Sequence, residues 1–153
     1  MLLVTVLAIG LGLAACSPST SPTSTSAPQQ ETMATTASEQ ESAQLVTGGE
    51  QLYAANCQVC HGDREGAGGT GGAPPHNETG HTWHHPDAQL NDWILNGKLG
   101  FSQMPTFKDV MSEGQVEAVL TYIKTWWTPE QRESQTDVSR RYDEALEKQG
   151  QGQ

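Results

Sequence analysis

Apolar side chains are spread unevenly along this chain, and the unevenness divides it. Residues 1–15, MLLVTVLAIGLGLAA, form a nearly unbroken apolar run. Residues 17–44 carry Ser, Thr, Pro, Gln and Ala with almost no large apolar side chain. Between Leu45 and about Thr128 the aromatic and branched residues return at helical spacing, and from Pro129 onward the chain is charged and sparsely apolar.

Three helices are predicted in the third part. The first runs roughly from Gly49 into Cys57, with Leu52 and Tyr53 on one side. The second starts near Pro86, a residue suited to a first turn. Its Leu90, Trp93 and Ile94 recur at i, i+3, i+4, and Gly97 stands where a helix would stop. The third has Ser112 and Gln115 in capping-box register, followed by Val116, Val119, Leu120, Ile123 and Trp127 on one face. No stretch reads as a strand. Gly66 to Gly72 and the Pro74–Pro75 step mark an irregular loop. The predicted fold class is all-α, with an extra C-terminal helix over 129–153 whose few apolar contacts are Tyr142 and Leu146.

The first 44 residues read as targeting. The opening run is short for a transmembrane span and ends at Cys16. The stretch LAAC, Leu13 to Cys16, resembles a bacterial lipobox, which implies cleavage before Cys16 and lipidation of that residue. Residues 1–15 lack Lys and Arg, which puts the position of the true start in question. Residues 16–44 are expected to be a flexible tether, because so few apolar groups cannot offset the entropy of ordering.

Charge narrows the partners. A formal net charge of −10 with four scattered cations in the domain (Arg64, Lys98, Lys108, Lys124) argues against nucleic acid, since nothing replaces phosphate counterions. A partner with a basic surface is easier to accommodate. Three short helices over residues 45–128 also leave the domain short of core, so a disulfide, a metal or a large cofactor is expected to complete it.

The chemistry gathers at NCQVCHG, residues 56–62. Zinc would need two further ligands from His61, His76, His81, His84 and His85, because no cysteine follows Cys60. A redox dithiol would need a βαβ setting, which the pattern lacks. A Cys57–Cys60 disulfide is possible in an exported protein but leaves His61 and the missing core unexplained. The remaining reading is C-x-x-C-H as a site of covalent haem attachment. Two thiols reach the vinyl groups on one porphyrin edge, and the adjacent imidazole rises beneath the ring to ligate iron. Haem would also supply the missing core.

Residues 48–128 resemble a class I c-type cytochrome domain of the small bacterial kind. GEQLYAANCQVCHG, with Gly49, Tyr53 and Cys57 at steps of four, resembles that family's opening, and AVLTYIKTWW offers Val119 and Tyr122 as the answering pair on the last helix. The resemblance implies a cytochrome c-like fold with one covalent haem c on Cys57 and Cys60, and His61 as proximal iron ligand. GGAPPHN resembles the loop whose proline carbonyl, here Pro74, accepts the proximal Nδ1–H. His76 stands where relatives often carry Leu. GFSQMPTF resembles the sixth-ligand motif, with Met104 as distal ligand and Met111 as a weaker candidate. Beside it, HNETGHTWHHPD is expected to form a polar loop along the haem edge, with Trp83 packing there and Asn77 or a histidine bonding a propionate. The sharper alternative is that a histidine replaces Met104, or that the cluster binds copper or zinc.

The function this implies is electron transfer between redox proteins, with membrane-bound respiratory complexes as the expected partners, by a carrier lipid-anchored on the extracytoplasmic, periplasmic face. Catalysis by this chain alone is not expected. The alternatives are a haem-based sensor with a labile Met104 bond, and a fixed haem subunit of an oxidase or dehydrogenase.

Overall fold

The computed structural model describes residues 29–70, 72–98 and 104–150, with side chains from residue 37 onward. The expected signal run, Cys16 and the first part of the tether lie outside the described residues. In chain order the helices are α1 (Gln29–Asn56), α2 (Gln58–His61), α3 (Asp87–Asn96), α4 (Glu113–Lys124) and α5 (Pro129–Gly150), with a 3₁₀ turn at Thr82–His84. The described residues form no strand beyond one isolated bridge, Lys98 with Met104. The fold is all-α, as the pattern predicts. Among the described residues no helix is long and apolar enough to cross a membrane.

One expectation needs correction. The first helix begins at Gln29, so residues 29–44 are helical where a flexible tether was expected. The side chains at 37–44 are all exposed, so packing does not hold this stretch. It extends a helix nucleated by the buried end of α1, and adding a residue to an existing helix costs far less than starting one. Its Gln, Glu and Ala residues are good helix formers.

The core forms where α1 crosses α4. A Cβ at Gly49 would stand 2.0 Å from the Ala118 carbonyl oxygen and 2.9 Å from the Tyr122 Cβ, so only glycine lets the two helices come this close. One turn on, Tyr53 is buried and its ring meets Trp126 edge-on, with centroids 5.0 Å apart. Tyr122 closes the cluster at 5.1 Å from Trp126. Val116, Val119, Leu120 and Ile123 are buried along the same face of α4, as their spacing predicts. Both bonds of the Ser112–Gln115 capping box are made. Trp126 and Trp127 lie just past the end of α4 and are both buried.

α3 starts one residue later than Pro86, which serves as its extended N-cap, and ends at Gly97 with φ +79°. α5 forms as expected but is held differently. Tyr142 and Leu146 are exposed, so they are not its anchors. Gln135, only 1% exposed, places its amide within hydrogen-bond distance of Asp87 Oδ1 (2.8 Å), Ser139 Oγ (3.0 Å) and the His85 carbonyl (3.3 Å). The Ser139 hydroxyl also accepts from the Asp87 amide at 3.0 Å. α5 thus docks by a polar seam, which apolar periodicity cannot reveal. Its charged pairs, Arg140 with Asp137 and Glu144 and Arg141 with Asp137, lie on the exposed face.

Candidate functional site

The C-x-x-C-H segment is a single tight turn continuing from α1. The Cys57 amide donates to the Tyr53 carbonyl at 2.8 Å, and the amides of Cys60 and His61 donate to the Cys57 carbonyl at 3.1 and 3.0 Å. Cys57 is buried and Cys60 is exposed. Gly62 ends the turn at φ +80°, where a Cβ would lie 2.7 Å from the Ala67 carbonyl oxygen. The buried Tyr53 hydroxyl donates to the Gly62 carbonyl at 2.8 Å, tying the turn back to α1.

His61 is oriented from the loop. Its Nδ1 lies 2.8 Å from the Pro74 carbonyl oxygen. A carbonyl only accepts, so Nδ1 carries the proton and Nε2 of the neutral ring keeps its lone pair. Burial pushes the His61 pKa below the ordinary imidazole value, and the Pro74 bond opposes this only in part. The lone pair therefore stays available at neutral pH. The His76 ring stacks on that of His61 with centroids 4.0 Å apart.

Met104 reaches the site from the segment that follows α3. The Lys98 amide donates to its carbonyl at 3.2 Å, and a Cβ at Gly97 would stand 2.9 Å from the same oxygen. Beyond Pro105, the Phe107 amide donates to the Ile94 carbonyl at 3.1 Å, which fastens the strap to the end of α3. Met111 instead sits in the apolar core, 3% exposed.

These groups converge. One cavity of about 620 Å³ is lined by Cys57, Cys60, His61, Pro74 and Met104 together. Its apolar wall includes Leu90, Trp93, Ile94, Val119, Leu120 and Ile123. The size falls within the roughly 300–1,000 Å³ typical of cofactor pockets. The donor set also fits an iron porphyrin: an imidazole with its far nitrogen anchored, a thioether, two thiols on the wall and an apolar surround.

The rival readings of the two cysteines fare worse. Burial, and then the neighbouring Cys60, push the Cys57 thiol up to about 11, whereas a reactive dithiol needs a lowered value. Among the described residues no group of three or more His, Cys, Asp or Glu side chains is placed to hold a metal ion. The same observation tells against copper or zinc at His81, His84 and His85: the 3₁₀ turn is too short to align the three rings.

Neither Asn77 nor Trp83, both expected at the haem edge, is among the residues that line the cavity. Asn77 is buried but spent on its own loop, donating to the Arg64 carbonyl at 3.0 Å and accepting from Thr79. Trp83 donates its indole N–H to the Gly80 carbonyl and stacks on His84. The wall has Thr82, His85, Trp93 and Lys98 instead, with the Lys98 ammonium 3.6 Å from the centre of the Trp93 ring. The i, i+3, i+4 pattern of α3 already grouped Trp93 with Leu90 and Ile94. Nothing in the sequence marks Lys98 or Thr82 as wall residues.

The family model described as Cytochrome C oxidase, cbb3-type, subunit III matches residues 44–123, 80 of the chain's 153. The chain belongs to this family of c-type cytochrome domains, for which covalent haem c and haem-based electron transfer are the rule. No curated protein and no solved structure matches it.

Proposed function

We propose that this chain is an electron carrier with one haem c, held at the extracytoplasmic face of a bacterial membrane by lipid on Cys16. The observation that carries the site is the convergence on one cavity of Cys57, Cys60, His61, the Pro74 carbonyl and Met104. When bound there, haem supplies a one-electron iron couple. Cys57 and Cys60 hold the macrocycle by thioether bonds. His61 gives its Nε2 lone pair as proximal ligand, and the Pro74 carbonyl keeps that ring in the right tautomer and strengthens it as a donor. Met104 gives its thioether as distal ligand, which favours a higher reduction potential than a second histidine. With His61 and Met104 both given to the iron, the chain would leave no position open for substrate, which suits a carrier better than an oxygen-activating enzyme.

The experiment is an optical redox titration of the holoprotein beside its Met104→Ala variant. Loss of the weak band at the red edge of the oxidised spectrum, with a fall in potential, supports the thioether bond. Two superimposable titrations would remove Met104 from the iron. Carbon monoxide added to the ferrous parent separates a carrier, which binds little, from a sensor with a labile ligand.

The family's description favours a second reading, in which the chain is a fixed haem subunit of a respiratory oxidase. Gentle detergent purification distinguishes the two. A fixed subunit brings its oxidase along in constant proportion, whereas a shuttle is recovered alone.

A further inference from the structure

We propose that His76 is a positioning residue for the proximal imidazole, its stacked ring fixing the rotation of His61 about the bond from Nε2 to iron. The inference rests on the haem reading above and deepens it.

The Pro74 bond alone leaves this rotation loose. It pins one ring atom, and carbonyl oxygens accept over a broad range of directions. A flat neighbour removes that freedom, because turning the His61 ring would drive its edge into the plane beside it. The His76 ring provides such a plane, 27° from parallel at 4.0 Å.

His76 is itself held from several sides. Its Nδ1 lies 2.8 Å from the hydroxyl of Thr82, a residue only 6% exposed. Its carbonyl accepts the Trp127 indole N–H at 2.8 Å. The Tyr53 ring meets it near edge-on, at 6.1 Å and 74°.

The angle has a spectroscopic signature. In low-spin ferric haem the plane of an axial imidazole directs the magnetic anisotropy of the iron, which paramagnetic NMR reads as the order and spread of the haem-methyl resonances. The test records these spectra for the oxidised parent and for His76→Ala, His76→Phe and Thr82→Val. His76→Phe keeps a flat ring and is expected to retain the parental pattern. His76→Ala is expected to change the methyl order or spread while both thioether bonds remain. Thr82→Val removes only the bond that fixes the stacking ring, so it carries the test should His76→Ala fail to mature, and a change in the same sense is expected. A parental pattern in His76→Ala, or in Thr82→Val should His76→Ala not mature, overturns the positioning role. A parent without covalent haem overturns the functional reading and this inference together, whereas unchanged spectra of haem-loaded variants overturn only the inference.

Discussion

The indole N–H of Trp127 donates to the carbonyl of His76 at 2.8 Å, joining residues 51 positions apart. Trp127 is almost wholly buried, so water cannot readily replace the acceptor of its indole N–H. The bond fastens the loop after Pro74 to the end of α4. α4 crosses α1 at Gly49, and α1 leads directly into Cys57. The thiols and the imidazole support are therefore placed by one corner, and the geometry of the cavity depends on how closely two helices cross.

That dependence makes Gly49 a sensitive position. A Cβ 2.0 Å from the Ala118 carbonyl oxygen must push backbone, not a flexible side chain. Gly49→Val should destabilise the holoprotein by about 3 kcal/mol, the upper part of the usual overpacking cost. Urea unfolding followed by tryptophan fluorescence would measure it. A midpoint equal to the parent's would mean that the helices do not cross here.

Gln135 should matter more than its place on an otherwise exposed helix suggests. Truncation to Ala removes the buried amide that reaches Asp87, Ser139 and the His85 carbonyl, leaving these half-buried acceptors without that donor. The expected cost is about 1–3 kcal/mol, and α5 should lose protection first in hydrogen exchange. Equal protection along α5 in the variant and the parent would contradict the polar docking seam.

Covalent attachment predicts the thiol count. In holoprotein denatured and treated with reductant, neither Cys57 nor Cys60 should react with a thiol reagent, because a thioether is not reduced. A disulfide between them would yield two reactive thiols under the same treatment, and so would a zinc site after chelation. Mass spectrometry of the peptide spanning residues 56–62 assigns the result.

Acid should weaken the fold through His76. Burial lowers its pKa to about 3 in the folded protein, against an ordinary imidazole value of about 6.5 in the unfolded chain. Between these values the unfolded chain binds a proton that the folded protein does not. Stability from this group is therefore intact above about pH 6.5 and declines as the pH falls toward 3, by at most ~1.4 kcal/mol per pH unit. His76→Phe should flatten the decline between pH 6 and pH 4 in denaturant titrations, and an unaltered slope would show that His76 does not remain neutral.

Much of this was legible in one dimension. The helical class, the capped start of α4, the stop at Gly97 and the Gly49–Tyr53–Cys57 spacing are local, and local patterns carry them. The pairing of His61 with the Pro74 carbonyl was also readable, because it rests on a motif. The departures from expectation have a common cause. Gln29 to Gln44 looked like a tether because composition shows that a stretch cannot bury itself, but not that a neighbouring helix will run on into it. Asn77 and Trp83 have the right chemistry for a cavity wall, yet their bonds go to Arg64 and Gly80, and only the path of the loop decides that.

The sequence by itself determined which groups are present and at what spacing: two thiols and an imidazole in one turn, and a thioether before a proline. Spacing along a chain is enough there, because a turn is closed by bonds between near neighbours. Only the tertiary structure decided that Met104 faces the same cavity as His61, that His76 stacks on His61, and that α5 is held through Gln135. Each of these joins residues far apart in sequence, and such contacts depend on how closely helices cross and where loops return, which no local pattern records.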